Sequence, residues 1–173
     1  MSRLLEQYRN DACLLSGGGH NPSGASSSDE GLVIDLSKYL NKVTVDQEAK
    51  IAYVQGGALW SDVDAASCPL GLATVGGTVS EVSVILFCWT VNIELTYRLE
   101  SAGAYSSVVM ILIISLTVGG GYGFLSGRHG LTIDNLVGAT VVIADGRILQ
   151  ANEHENPDVG LFSTVCSPIQ CCR

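Results

Sequence analysis

The residues in this sequence best placed to do chemistry lie in Ser16–Gly24, SGGGHNPSG. Three consecutive glycines, Gly17 to Gly19, end a short apolar run, Ala12–Leu15, and lead into His20. The backbone there can enter conformations closed to residues that carry a Cβ. Successive amides can then all point one way, and such a nest of N–H groups binds an anion without help from a cationic side chain. His20 stands at the rim. A second glycine group, Gly119-Gly120-Gly121-Tyr122-Gly123, comes much later and is followed by Ser126-Gly127-Arg128-His129-Gly130. Two such loops in one chain point to a single long phosphate-bearing ligand. No Ser-His-Asp order and no phosphate-loop lysine directs the reading to another reaction class.

These loops need elements to hold them. Ser2–Arg9 reads as a short helix with Leu4, Leu5 and Tyr8 on one face, and Ala12–Leu15 as a strand that enters the first glycine loop. The Ser- and Gly-rich stretch Asn21–Gly31 is a surface loop. Leu32–Leu36, Lys42–Val45 and Ile51–Val54 read as strands, the first two separated by a turn around Ser37–Asn41. Gly56-Gly57 ends the third. Ala58–Ser67 then has Leu59, Val63 and Ala66 at helical spacing. Leu136–Ala144 and Arg147–Ala151 alternate as two strands, with Asp145-Gly146 as a hairpin signal between them. The expected architecture is α+β: one small sheet from strands near Leu14, Leu32, Val43 and Ile51, a second that includes Leu136–Ala151, and flanking helices.

At 173 residues, 47% of them hydrophobic, the chain has one domain's length and enough apolar side chains for a sizeable core. A net charge of −8 argues against nucleic-acid or anionic-membrane partners, because no basic patch exists to release counterions. An anion would have to be held by backbone amides and helix N-termini instead. The six cysteines have no regular spacing, and Cys166, Cys171 and Cys172 near His154 lack the paired C-x-x-C of a zinc site, so no metal is expected. The charged start, MSRLLEQYRND, has no apolar signal core, which makes an intracellular location the default. Trp60 reads as a packing residue, His129 as structural, and Asp62 and Asp64 as solvated helix charges.

Five stretches carry a resemblance: SGGGHNPSGASSS (Ser16–Ser28), GLVIDLSKYLNKVTVD (Gly31–Asp46), YVQGGALWSDVD (Tyr53–Asp64), VGGGYGFLSGRHGLTIDNLVGATVV (Val118–Val142) and ADGRIL (Ala144–Leu149). In this order they resemble the p-cresol methylhydroxylase-type FAD-binding domain of the vanillyl-alcohol oxidase superfamily. The branch is that of berberine bridge enzyme and 6-hydroxynicotine oxidase, which are oxygen-dependent FAD-linked oxidoreductases. The resemblance implies FAD as cofactor, bound by Ser16, Gly17, Gly18, Gly19, Asn21, Gly77, Gly121, Tyr122, Gly123 and Gly130. It implies His20 as a covalent flavin attachment site. No cysteine stands near Val79, so a second, cysteinyl link is not expected. Tyr122 would lie near the flavin ring or serve in packing. The implied reaction is oxidation of a small organic substrate by hydride transfer to flavin, often with molecular oxygen as the final acceptor.

Two stretches depart from the resemblance. Ser83–Leu116 intervenes where the family has a short glycine turn, and it contains VILFCW and VVMILIISL with only Glu94, Arg98 and Glu100 as charges. Neither run approaches the roughly 20 residues of a membrane-spanning helix. The plain reading is a pair of buried strands. The sharper one is translated non-coding sequence, since Val82-Ser83 is what a reading frame gives across a common splice-donor sequence. On that reading the insert lies outside the common core and exposes apolar surface. The second departure is the tail, 159–173, where the family continues into a substrate domain. The expected organisation is therefore an incomplete FAD-binding domain over 1–158, an insert over 83–116 and no substrate domain, with no catalytic base nominated. A non-catalytic fragment that binds FAD weakly or not at all is the alternative to an active oxidoreductase.

Overall fold

Short strands form where apolar and polar residues alternate, because successive side chains point to opposite faces. In the computed structural model, which describes residues 13–20, 27–29, 31–77, 79–84, 91–101, 121–142 and 146–156, Val43–Asp46 (β3) and Ile51–Gln55 (β4) show this alternation. They pair antiparallel, Val43 opposite Val54. The turn between them is held by the Asp46 carboxylate, which accepts the Ala49 N–H at 2.9 Å. Ala52 and Val54 of β4 are fully buried, while Tyr53 faces outward.

Before this hairpin, Cys13–Ser16 (β1) and Leu32–Asp35 (β2) form a separate parallel pair. The Leu36 N–H extends it by donating to the Ser16 carbonyl at 2.8 Å. After the hairpin, Gly57 approaches Leu36 so closely that a Cβ would meet the Leu36 carbonyl group. Only glycine fits there, which explains the break at Gly56-Gly57. Helix α1, Trp60–Ser67, starts where the Asp62 carboxylate accepts the Leu59 N–H at 2.8 Å, and it ends at Cys68-Pro69. Trp60, Val63 and Ser67 form its buried face.

Leu72–Ala73 (β5) pairs with Glu100–Ser101 (β7). Between them in sequence, Val91–Arg98 (β6) is the middle strand of the main sheet, whose order is β3-β4-β6-β8-β9. Here β8 is Leu136–Val142 and β9 is Ile148–Asn152, joined antiparallel with Val142 opposite Ile148. The core collects on one face of this sheet: Ala52, Val54, Leu95, Tyr97, Ala139, Val141 and Ala151, with Trp60 and Val63 of α1 packed over it. The Trp60 and Tyr97 rings stand 5.8 Å apart with their planes tilted by 58°.

Two expectations are corrected here. The strands near Val43 and Ile51 do not share a sheet with those near Leu14 and Leu32; they join Leu136–Val142 and Ile148–Asn152, because β6 pairs with β4 on one side and β8 on the other. Within Ser83–Leu116, the described residues 83–84 and 91–101 do not lie outside the core. Ser83 and Val84 are buried, the Val84 N–H donates to the Ala58 carbonyl at 3.0 Å, and Leu95, Tyr97 and Leu99 are at most 1% exposed. Apolar side chains with period-two spacing in NIELTYRL found a buried sheet face there, whereas the runs VILFCW, beyond Val84, and VVMILIISL, the pair of strands of the plainer sequence reading, lie outside the described residues. The expected Ser2–Arg9 helix and Cys166, Cys171 and Cys172 lie outside the described residues.

Leu95→Ala should cost about 2–5 kcal/mol by the usual loss of buried methylenes plus cavity. Deleting 91–101 should abolish cooperative unfolding followed by circular dichroism. Wild-type-like unfolding of the deletion variant would show that β6 is dispensable.

Candidate functional site

Strand β1 delivers Ser16 and the first glycine loop to the edge of the parallel pair. Gly17 is half-buried and Gly18, Gly19 and His20 are exposed. A Cβ on Gly17 would meet the Ser83 side chain, and one on Gly18 would lie 2.8 Å from Leu59 Cδ2 and 3.1 Å from the Glu81 carbonyl. Gly19 has φ +63°, so the chain turns there in a conformation that favours glycine, and its Cβ position lies 3.8 Å from Ser16 Oγ. The loop is thus pressed against the segment Glu81–Ser83 and the start of α1, with His20 left facing solvent.

That segment is tied down by backbone bonds. The Trp60 N–H donates to the Val82 carbonyl at 3.1 Å and the Ser61 N–H to the Ser80 carbonyl at 2.9 Å. Two of the first amides of α1 are therefore used within the protein, and an anion would depend on the glycine loops.

The second glycine loop reaches the same place from the other side of the sequence. A Cβ on Gly123 would strike the Gly76 carbonyl oxygen, and a Cβ on Gly76 would lie 2.7 Å from Trp60 Cε3. Gly121, at φ +70°, presses on Thr132, its Cβ position 2.5 Å from Thr132 Oγ1. Gly121 and Gly123 are buried, and between them Tyr122 projects outward, 59% exposed. The Gly123 N–H donates to Ser126 Oγ at 2.8 Å, so this amide supports the turn and is not free for a ligand.

Gly130 closes the following short helix, α2, Ser126–His129. Its neighbour Leu131 donates its N–H to the Asp134 carboxylate at 2.8 Å, and Asn135 Nδ2 donates to the His129 and Leu131 carbonyls at 3.0 and 2.9 Å. His129 Nδ1 lies 3.9 Å from Glu100 Oε1, a contact that reaches into β7.

The structure therefore sets Gly18 against Leu59 and Gly123, through Gly76, against Trp60, while Gly17 packs on Ser83 and Gly121 on Thr132, with His20 at the exposed end of the first loop. Gly77 is half-buried beside Gly76, Gly130 belongs to the turn after the second loop, and Asn21 lies outside the described residues. Sequence reasoning did not single out Gly76, Leu59, Ser83 or Thr132. The pair Gly76-Gly77 was a visible signal, whereas the other three are ordinary residue types whose part is decided by packing.

The titratable groups nearby are few among the described residues. Ser37 donates both its hydroxyl, at 2.7 Å, and its N–H, at 2.9 Å, to Asp35 Oδ1, and these bonds hold the Asp35 carboxyl below its ordinary value of 3.8. Burial of the Asp64 carboxyl raises it, and burial together with the Asp64 charge raises the Cys68 thiol. No group of three metal-binding side chains and no helix long and apolar enough to cross a membrane occurs among the described residues.

Residues 4–85 match the family model described as FAD binding domain. An FAD-linked oxidoreductase of Aspergillus terreus, pgmH, is 38% identical over 90% of this chain and 25% of its own length. The (R)-6-hydroxynicotine oxidase of Paenarthrobacter nicotinovorans is 30% identical over 82% of this chain and 24% of its own length. Among solved structures, 6-hydroxy-D-nicotine oxidase from Arthrobacter nicotinovorans superposes with a TM-score of 0.69 at 26% identity, covering 96% of this chain and 31% of that one. The carbohydrate oxidase of Microdochium nivale gives 0.64 at 25% identity, over 93% and 28% of the two chains. The chain spans about a quarter of the length of the curated relatives it matches.

Asp35 supplies a pH test of the turn that seats Leu36 on Gly57. Because its folded pKa is depressed, its stabilisation is present above 3.8 and is lost as pH falls through the lower folded value. In an acid titration followed by circular dichroism, Asp35→Asn should lower stability near neutral pH and remove part of the acid-dependent loss. Identical curves for variant and wild type would contradict it.

Proposed function

We propose that this chain, whose residues 4–85 match the FAD binding domain model and which is similar to FAD-linked oxidoreductases, holds FAD across the two glycine loops. The observation that carries this reading is that both loops reach the neighbouring residues Leu59 and Trp60, the first through Gly18 on Leu59 and the second through Gly123 on Gly76, which in turn meets Trp60. The residues present suit the ligand. Exposed Gly18 and Gly19 offer backbone N–H groups for a pyrophosphate, which an acidic chain could not hold by net charge. His20 is exposed beside them, and its proposed role, covalent attachment through a ring nitrogen, rests on the family resemblance of SGGGHNPSG; exposed Tyr122 offers a ring face.

When bound, FAD supplies a two-electron acceptor for a small organic substrate, with molecular oxygen as the proposed final acceptor. This chain's contribution is to bind and orient: the backbone of the first loop meets the phosphates, His20 anchors one end, and the buried glycines Gly121 and Gly123 hold Tyr122 outward. A second reading is favoured by the amides of Trp60, Ser61 and Gly123, which are bonded within the protein. On it, this chain binds FAD weakly or not at all and turns nothing over.

Reconstitution separates the two. Purified protein incubated with FAD should become yellow and keep its colour after acid precipitation, whereas His20→Ala should release all flavin into the supernatant. A wild-type chain that stays colourless favours the second reading; colour that is extractable from both proteins removes His20 as the attachment site.

A further inference from the structure

Trp60 is 1% exposed, and its indole Nε1–H has no hydrogen-bond partner among the described residues. A buried donor left unpaired costs about 1–3 kcal/mol, and phenylalanine in its place would avoid that cost. Tryptophan must therefore be explained by its shape. Its six-membered ring edge, Cε3 and Cζ3, lies 2.7 and 3.0 Å from where a Cβ on Gly76 would stand. On that same glycine sits Gly123, whose own Cβ would collide with the Gly76 carbonyl oxygen. Indole edge, Gly76 and Gly123 are stacked with no space for one added carbon between neighbours. The indole also packs on the ring of Tyr97 of β6, 5.8 Å away in the packed centre of the sheet, which gives the stack a firm base.

The same dipeptide carries the other loop, since Leu59 Cδ2 blocks a Cβ on Gly18. The distance between the two glycine loops is then fixed by how far Gly76 stands off the Leu59-Trp60 backbone, and the breadth of the indole sets that distance. We propose that Trp60 is a positioning residue that spaces the Gly121–Gly123 loop from the Gly17–Gly18 loop by acting as a backstop to Gly76. Its consequence for flavin rests on the FAD reading above; its consequence for the second loop does not.

The test is a rescue cycle in the full chain with two readouts. Hydrogen exchange is followed at the amides of Gly123 and Ser126, which are bonded to Ser126 Oγ and the Gly123 carbonyl. Affinity for added FAD is measured in parallel. Trp60→Phe withdraws the indole edge from Gly76, and Gly76→Ala adds a methyl against it. Each single variant should speed exchange at these two amides at least about tenfold without altering β8 and β9 amides, as a local opening does. The double variant, in which the methyl fills the space left by the smaller ring, should return within about threefold of wild type, a coupling that independent sites do not show. FAD affinity should fall and recover in the same pattern. If Gly76→Ala does not fold, Trp60→Phe and the double variant decide: a double variant as fast as or faster than Trp60→Phe overturns the spacer. Single variants that leave exchange at wild-type rates, or a double variant that merely adds their effects, overturn it as well. If wild type binds no FAD, the flavin reading fails while the exchange cycle still decides the role of Trp60.

Discussion

The structure depends on the seating of one side chain, the Trp60 indole, which packs on Tyr97 of the central strand and against the backbone of Gly76. On its sheet side this contact joins α1 to β6 and so ties the helix to the two halves of the sheet that β6 connects. On its loop side it backs Gly76 and through it Gly123, while the neighbouring Leu59 meets Gly18 of the first loop. An aromatic pair of this kind adds about 0.5–1.5 kcal/mol beyond the area it buries, a modest energy. Its weight here is geometric, because every neighbour in the stack is already at contact distance.

Strand β6 shows how a sheet decides the fate of a sequence that looks out of place. Without it, β4 and β8 would each present an open edge of unpaired N–H and C=O groups, which is costly when buried and prone to pairing when exposed. NIELTYRL offers the right alternation to fill that place, with Leu95, Tyr97 and Leu99 inward. Its fit is not perfect. The register shifts between Asn92 and Glu94 and again between Thr96 and Tyr97, so the strand is accommodated by irregularities in the ladder. The bond from the Val84 N–H to the Ala58 carbonyl and the bridge between Leu59 and Ser83 fasten the start of this stretch to the site itself. The first glycine loop consequently packs against Ser83, which lies within the residues 4–85 that match the FAD binding domain model.

The glycines of the site serve two different needs. Gly19 and Gly121 take up positive φ and turn the chain. Gly17, Gly76 and Gly123 instead permit backbone to touch backbone or side chain where any Cβ would intrude. The second kind makes the site sensitive to packing far from the loops, since a shift in α1 or β6 is passed on without slack.

Much of this protein was legible in its residues. The alternation in VTVD, IAYVQ, LVGATVV and ILQAN predicts strands that the structure contains within a residue or two, and the spacing of apolar residues after Gly57 predicts α1. These are local properties: period, turn chemistry and helix start act over a few residues, so the chain carries them whatever its partners. The glycine loops and their order along the chain were equally visible, as was the family they resemble. Tertiary structure alone decided which strands share a sheet, because pairing is a long-range choice and β6 links β4 to β8 across sequence that local rules leave ambiguous. It alone decided that Ser83 and Val84 are core residues and that Gly76 lies between Trp60 and Gly123. Contacts of that kind are set by the thickness of packed layers, a quantity that no residue type or spacing states.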